Sequence, residues 1–221
     1  MFIELVDSLR CVQPHEDTWL VATFDRMENR RVVEGALGCP TCRASYPIRA
    51  GVVWLGAVPE QGTPADDPPA AHPVADEAMR LAARLDLREP GMRALLAGAH
   101  GAVAHALVGA TQAELLVIDP PASVTPGDGV SIVRTGGRVP LAAASMRAVA
   151  LDERSAVAPG AIEAAVAALR DGGRLVAPAT VPVPASVTVL ARDARQWVAE
   201  RDARPSAPVQ LRVMRGGRPG G

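Results

Sequence analysis

The sequence contains no lysine. All 23 of its basic residues are arginine, set against 24 acids, and the formal net charge is −1. So even a balance provides no one-signed field to attract nucleic acid or an anionic membrane. A membrane partner is not expected, and nucleic acid has no footprint beyond Arg212, Arg215 and Arg218 near the end of the chain. No run approaches the roughly 20 apolar residues of a membrane-spanning helix. The opening MFIELVDSLR has neither the basic nor the apolar region of a signal peptide, so the protein is expected to be soluble and cytoplasmic. Cysteine is scarce too: there are three, an odd number, all in the first fifth of the chain. In a reducing compartment such clustering favours metal over disulfide. Internal repeats, a G-x-S-x-G elbow and a phosphate-binding P-loop are all missing.

What is present divides by composition. Hydrophobic residues make up 48% of the chain, enough to bury a core. Residues 1–56 hold every cysteine, both phenylalanines, the tyrosine and two of the three tryptophans. Residues 57–74, with five prolines and few large apolar groups, read as an extended linker. Residues 75–214 alternate helical and strand-like patterns, and residues 215–221 (RGGRPGG) form a tail with nothing to bury. In the first region Trp19–Phe24, Arg31–Leu37 and Gly51–Leu55 are strand-like, with a hairpin turn expected over Asp25–Asn29. Three short strands bury too little surface to stand alone, so something must staple them.

Cys39-Pro40-Thr41-Cys42 is a C-x-x-C knuckle just after a strand, which turns two sulfurs toward one point. Zinc takes four such ligands in a tetrahedron. Cys11 is the natural third, and His15, four residues on beyond Pro14, the best fourth; Glu16, Asp17 or a water are the alternatives for that position. The competing reading of C-x-x-C is a redox pair, but that motif opens a helix, and Arg43-Ala44-Ser45-Tyr46-Pro47 is not helical in character.

The order LVDSLRC, TWLV, EGALGCPTC and YPIRAGVVWL resembles the short bacterial zinc-ribbon proteins related to the activator subunit of transfer-RNA and protein methyltransferases. The specific part is Leu37, Cys39, Pro40, Cys42, Tyr46, Pro47, Ile48 and Gly51, and the resemblance covers residues 1–56. It implies a small β zinc ribbon. That family commonly places C-P-x-C at the first knuckle, whereas this chain has Cys11 alone there, which is why His15 is drawn in.

In the second region, residues 76–85 form a helical pattern with Asp76 as its cap. Short apolar runs follow at Ala94–Ala97, Leu115–Ile118, Val130–Val133, Ala148–Leu151 and Arg174–Val176, with a helix over Ile162–Leu169. Such alternation argues for a parallel sheet. The later runs Val187–Leu190, Trp197-Val198 and Val209–Val213 suit antiparallel edge strands. Gly98 and Gly101 follow the first strand, where small residues let a ligand approach the backbone, and Asp119 ends the second, where a carboxylate can accept from a ribose. His100 and His105, five apart, do not suit metal ligation on one helix face, and Asp152-Glu153 reads as a surface turn in preference to a base.

The stretches Gly137–Val149 and Ala167–Val176, the latter reading AALRDGGRLV, resemble class I S-adenosylmethionine-dependent methyltransferases over residues 76–214. The resemblance implies a seven-stranded Rossmann-like sheet with the cofactor over its first two strands. Three departures stand out. Leu95-Leu96-Ala97 replaces the family's acid before the turn, His100 stands for its middle glycine, and Arg147 for the aspartate of its S-F-D phrase. The 119–129 loop is also short for a crossover helix.

The sequence therefore predicts an α/β protein, a small N-terminal zinc ribbon followed by a reduced, methyltransferase-like sheet. The metal is assigned to Cys11, His15, Cys39 and Cys42, and S-adenosylmethionine, if bound, to Gly98, Gly101 and Asp119. Two functions follow: a methyltransferase-like enzyme with reduced or lost activity, or a non-catalytic zinc-binding scaffold or activator that meets a protein partner through the ribbon or a sheet edge.

Overall fold

The computed structural model describes residues 1–56 and 74–203. The expected linker (Val74 excepted), the Val209–Val213 run and the 215–221 tail lie outside the described residues. A 3-10 turn, Ile3–Ser8, leads into β1 (Val21–Glu28), β2 (Arg31–Gly38), β3 (Ser45–Arg49) and β4 (Val52–Trp54). Then come α1 (Val74–Leu85), β5 (Arg93–Ala97), a 3-10 turn Gly98–Val103, α2 (Ala104–Thr111), β6 (Glu114–Ile118), β7 (Val130–Arg134) and β8 (Met146–Ala150). The chain continues through α3 (Glu153–Ala156), α4 (Ala161–Ala168), β9 (Leu169–Pro178), β10 (Val187–Arg192) and β11 (Gln196–Arg201). Among the described residues no helix is long and apolar enough to cross a membrane.

All the strands among the described residues join one sheet in the order β1-β2-β3-β4-β7-β6-β5-β8-β9-β11-β10. The first four run antiparallel, and β4 then pairs in parallel with β7, so the cysteine-bearing strands extend the α/β sheet directly. From β7 to β9 every pairing is parallel, and β11 then pairs antiparallel with β9. The order turns back between β5 and β8, the switch point where doubly wound sheets hold their ligands.

Parallel strands buried on both faces need apolar groups on both sides. β5 provides them: Leu95 packs into one core and Leu96 into the other, both fully buried. On the Leu96 face α1 lays Ala78, Leu81 and Leu85 against Leu107 of α2. The Leu95 face has a gap, because residues 119–129 and 135–145 carry no helix. The opening segment covers it. Leu5, Val6 and Leu9 pack with Leu116, Ile118 and Val133, and backbone bonds Arg10 N–H to Pro140 and Ala142 N–H to Ser8 fasten it down. At the other end, buried Arg201 donates to the Val166 and Ala167 carbonyls at 3.1 and 3.0 Å, satisfying the end of α4.

Several expected boundaries shift. β1 runs on to Glu28, into the expected turn at Asp25–Asn29; irregular pairing around Arg26 skips one residue on each strand, and the hairpin turns at Asn29-Arg30, both left-handed. Pro47 sits inside β3, a strand the sequence pattern passes over. Asp76 lies in the first turn of α1, not at its cap, where its charge still suits the helix dipole. Helix α4 stops at Ala168, one residue short of the expected Leu169, and Gly172-Gly173 lie within β9, which starts ahead of the expected run at Arg174.

Candidate functional site

Two separate places carry chemistry: a thiol-imidazole cluster among β2, β3 and the opening loop, and the switch-point crevice between β5 and β8.

The cluster unites Cys11, His15, Cys39 and Cys42, whose ligand atoms all lie within 4.8 Å of one another. With Zn–S near 2.3 Å and Zn–N near 2.0–2.1 Å, a tetrahedron has edges of about 3.8 Å between sulfurs and about 3.6 Å between sulfur and nitrogen. Here Cys11 Sγ stands 3.7 Å from Cys42 Sγ, and Cys39 Sγ 3.4 Å from His15 Nε2. The four residues thus fit one tetrahedral ion, and three thiols with an imidazole suit zinc.

Local bonds explain the convergence. Cys39 directly follows β2, and its carbonyl accepts from Arg43, whose left-handed backbone turns the knuckle. The Cys42 N–H points at Cys39 Sγ, 3.5 Å away. Burial opposes ionisation of the Cys39 thiol, but N–H groups of Cys42 and Thr41 outweigh it and bring the thiol down to about 6. Cys11 N–H donates to the Thr18 carbonyl, closing the first loop, and the Thr18 and Thr41 hydroxyls meet at 3.2 Å across the two loops. His15 Nδ1 lies 2.6 Å from the Glu16 carbonyl; donation there leaves Nε2 as the ligand atom. The Tyr46 hydroxyl sits 3.1 Å from Cys11 Sγ, and burial followed by that sulfur pushes it up to about 12, so it stays a donor. Tyr46 was legible only as part of a family phrase. Its bearing on Cys11 needed the fold.

At the switch point the structure sets the three sequence-derived residues apart. Gly98 is left-handed (φ 57°), and a Cβ there would lie 2.0 Å from Asp152 Oδ2. That same oxygen accepts from Ala99 N–H at 2.9 Å, while Oδ1 caps α3 through Ser155 N–H at 2.8 Å. The anion at the glycine turn is thus the protein's own Asp152, which the sequence pattern placed in a surface turn. Gly101 is closed in as well: a Cβ there would meet Pro120 and Val117 at 2.7 and 2.8 Å. Asp119 ends β6 as expected, but both its oxygens face the loop after β7. Oδ1 accepts from Thr135 N–H at 2.8 Å, and Oδ2 accepts from the Thr135 hydroxyl and Gly137 N–H at 2.9 and 2.8 Å. None of the three clefts described on the surface is lined by Gly98, Gly101 or Asp119.

His100 lies beside Asp152. Burial lowers its pKa below the ordinary 6.5 despite the opposing pull of Asp152, the Leu151 carbonyl and Glu77; Arg84 adds to the lowering. The folded protein therefore holds the imidazole neutral where the unfolded chain would protonate it. This contribution to stability is intact above about pH 6.5 and declines as the pH falls below that value. Urea titrations at pH 7.5 and 5.5 should show His100→Gln losing less stability than wild type across the interval. Equal losses would contradict the buried setting.

No protein-family model and no curated protein matches the chain. Solved structures to which it is similar include an S-adenosylmethionine-dependent O-methyltransferase from Thermotoga maritima (15% identity, 60% of this chain and 67% of that one, TM-score 0.41). Others are a Haemonchus contortus phosphoethanolamine N-methyltransferase (13%, 50% and 30%, 0.40) and a geranyl diphosphate methyltransferase (17%, 47% and 48%, 0.38). The chain spans less than half the length of the last two. The strand order, a mixed sheet that is parallel through β7-β6-β5-β8-β9 and antiparallel at β11, is that of an α/β fold.

Proposed function

We propose that this protein is a zinc-stapled scaffold: an N-terminal zinc ribbon fused to a methyltransferase-like sheet whose catalytic activity is reduced or lost. The observation that carries the reading is Asp152. Its carboxylate fills the space beside Gly98 and takes up the Ala99 N–H, a backbone donor at the turn where such a sheet receives its ligand. Asp119, the residue suited to a ribose, is already engaged by Thr135 and Gly137. The continuous pairing of β4 with β7 supports a structural role for the ribbon, since it lengthens the sheet and covers a face that lacks crossover helices.

Calorimetry of S-adenosylmethionine into the zinc-loaded protein tests this. No saturable heat is expected at millimolar ligand with the protein folded. Asp152→Ala removes the filling group and the cap of α3, and is expected to cost about 1–2 kcal/mol of stability. Saturable micromolar binding to wild type that Asp119→Ala abolishes would overturn the proposal in favour of a working methyltransferase.

A further inference from the structure

The amino-terminal edge of the sheet, opposite Gly98 and Asp152, carries a cleft of about 450 Å³ that the reading above does not use. Pro90 and Met92 wall it, and Arg93, Arg147 and Arg170 project into it, with Glu89 as the one acid in the lining. These arginines open β5, β8 and β9 respectively, so parallel strand starts bring together residues far apart in sequence.

Each guanidinium is braced along part of its fork. Arg93 Nε pairs with Glu114 at 3.1 Å. Arg147 Nη1 donates to the Gly172 carbonyl, and its Nη2 lies 3.7 Å from Asp86. Arg170 Nε donates to the Ala144 carbonyl at 3.3 Å, and among the described residues Arg170 has no ion pair. Asp86 is itself oversubscribed: Arg88, Arg147 and Arg174 all address this one carboxylate, at 2.5, 3.7 and 3.8 Å. Behind them Arg174 Nε is buried and donates no hydrogen bond. The braced forks are already ordered, so an anion would gain their remaining N–H donors at little entropic cost.

We propose that this cleft binds a small phosphate-bearing molecule, a phosphomonoester or diphosphate, held by Arg93, Arg147 and Arg170. Three forks exceed what one carboxylate can accept, whereas phosphate oxygens accept from several guanidinium groups at once. The cleft volume is that of a small-molecule site. The arginines sit in one walled cleft instead of the surface stripe that nucleic acid requires. The site is independent of the switch-point crevice, and its test is independent of any cofactor there.

Inorganic pyrophosphate and inorganic phosphate are titrated into the full-length, zinc-loaded protein by calorimetry, with a single-stranded RNA oligonucleotide in parallel. Saturable one-to-one pyrophosphate binding is expected, weaker for phosphate. Arg170→Gln should weaken it about ten- to hundredfold, as expected for loss of a charge-assisted hydrogen bond. Arg147→Gln should do the same, with Arg170→Gln as the safer variant because it disturbs no ion pair. Arg26→Gln on β1 should leave binding unchanged. No saturable pyrophosphate heat with the protein folded, or equal loss in Arg26→Gln, would overturn the proposal. Binding of RNA without pyrophosphate would overturn it too, reassigning the arginines to a nucleic-acid backbone.

Discussion

Replacing Cys39 with serine is expected to release the zinc and unfold β1, β2 and the loops around them. Cys39 is the buried ligand, 3% exposed, and sits where β2 meets the knuckle, so its loss opens the cluster from inside. The packing around it cannot compensate. Every β1 residue but Ala22 is exposed, and the apolar support of these strands is a single layer including Leu37, Tyr46, Ile48 and Val53. A structural zinc contributes on the order of 10–16 kcal/mol in finger peptides, well above what such a layer supplies. Hydrogen exchange should show β1 and β2 losing protection in Cys39→Ser while β5, β6 and β8 keep theirs. Retained protection in β1 and β2, with the zinc gone, would show that the strands hold without a staple.

Trp197→Ala should be the most damaging single substitution in the α/β part, costing about 3–5 kcal/mol. Trp197 is fully buried on β11, the strand that reverses direction between β9 and β10. Its indole N–H donates to the Val181 carbonyl at 3.1 Å, which ties the loop after β9 to the sheet. Truncation leaves a cavity and an unpaired buried carbonyl together. A urea midpoint shift with unchanged zinc content is the expected outcome; a loss under about 1 kcal/mol would mean that β11 does not close the sheet as described.

Both residues lie in stretches whose roles the sequence announces unequally. The knuckle is legible because its geometry is local: four consecutive residues bring two sulfurs together, and Cys11 with His15 repeats the logic in a second short loop. The strands β5, β6, β7 and β8 are legible as short apolar runs for a similar reason, since a strand buried on both faces must be apolar throughout. Asp152 is not legible. Nothing near it hints at Gly98, more than fifty positions away, and only the adjacency of β5 and β8 joins them. The β4–β7 pairing is hidden in the same way: Val52-Val53-Trp54 reads as a ribbon strand, and its second, parallel neighbour lies far along the chain. Pro47 misleads because proline suggests a break, yet β3 accommodates it opposite Ala36.

The measurement that bears most directly on the zinc-stapled scaffold is native mass spectrometry of the full chain, combined with X-ray absorption at the zinc edge. One zinc per chain is expected, with three sulfurs at about 2.3 Å and one nitrogen at about 2.0–2.1 Å. A folded, metal-free chain whose β1 and β2 are protected from exchange would contradict it.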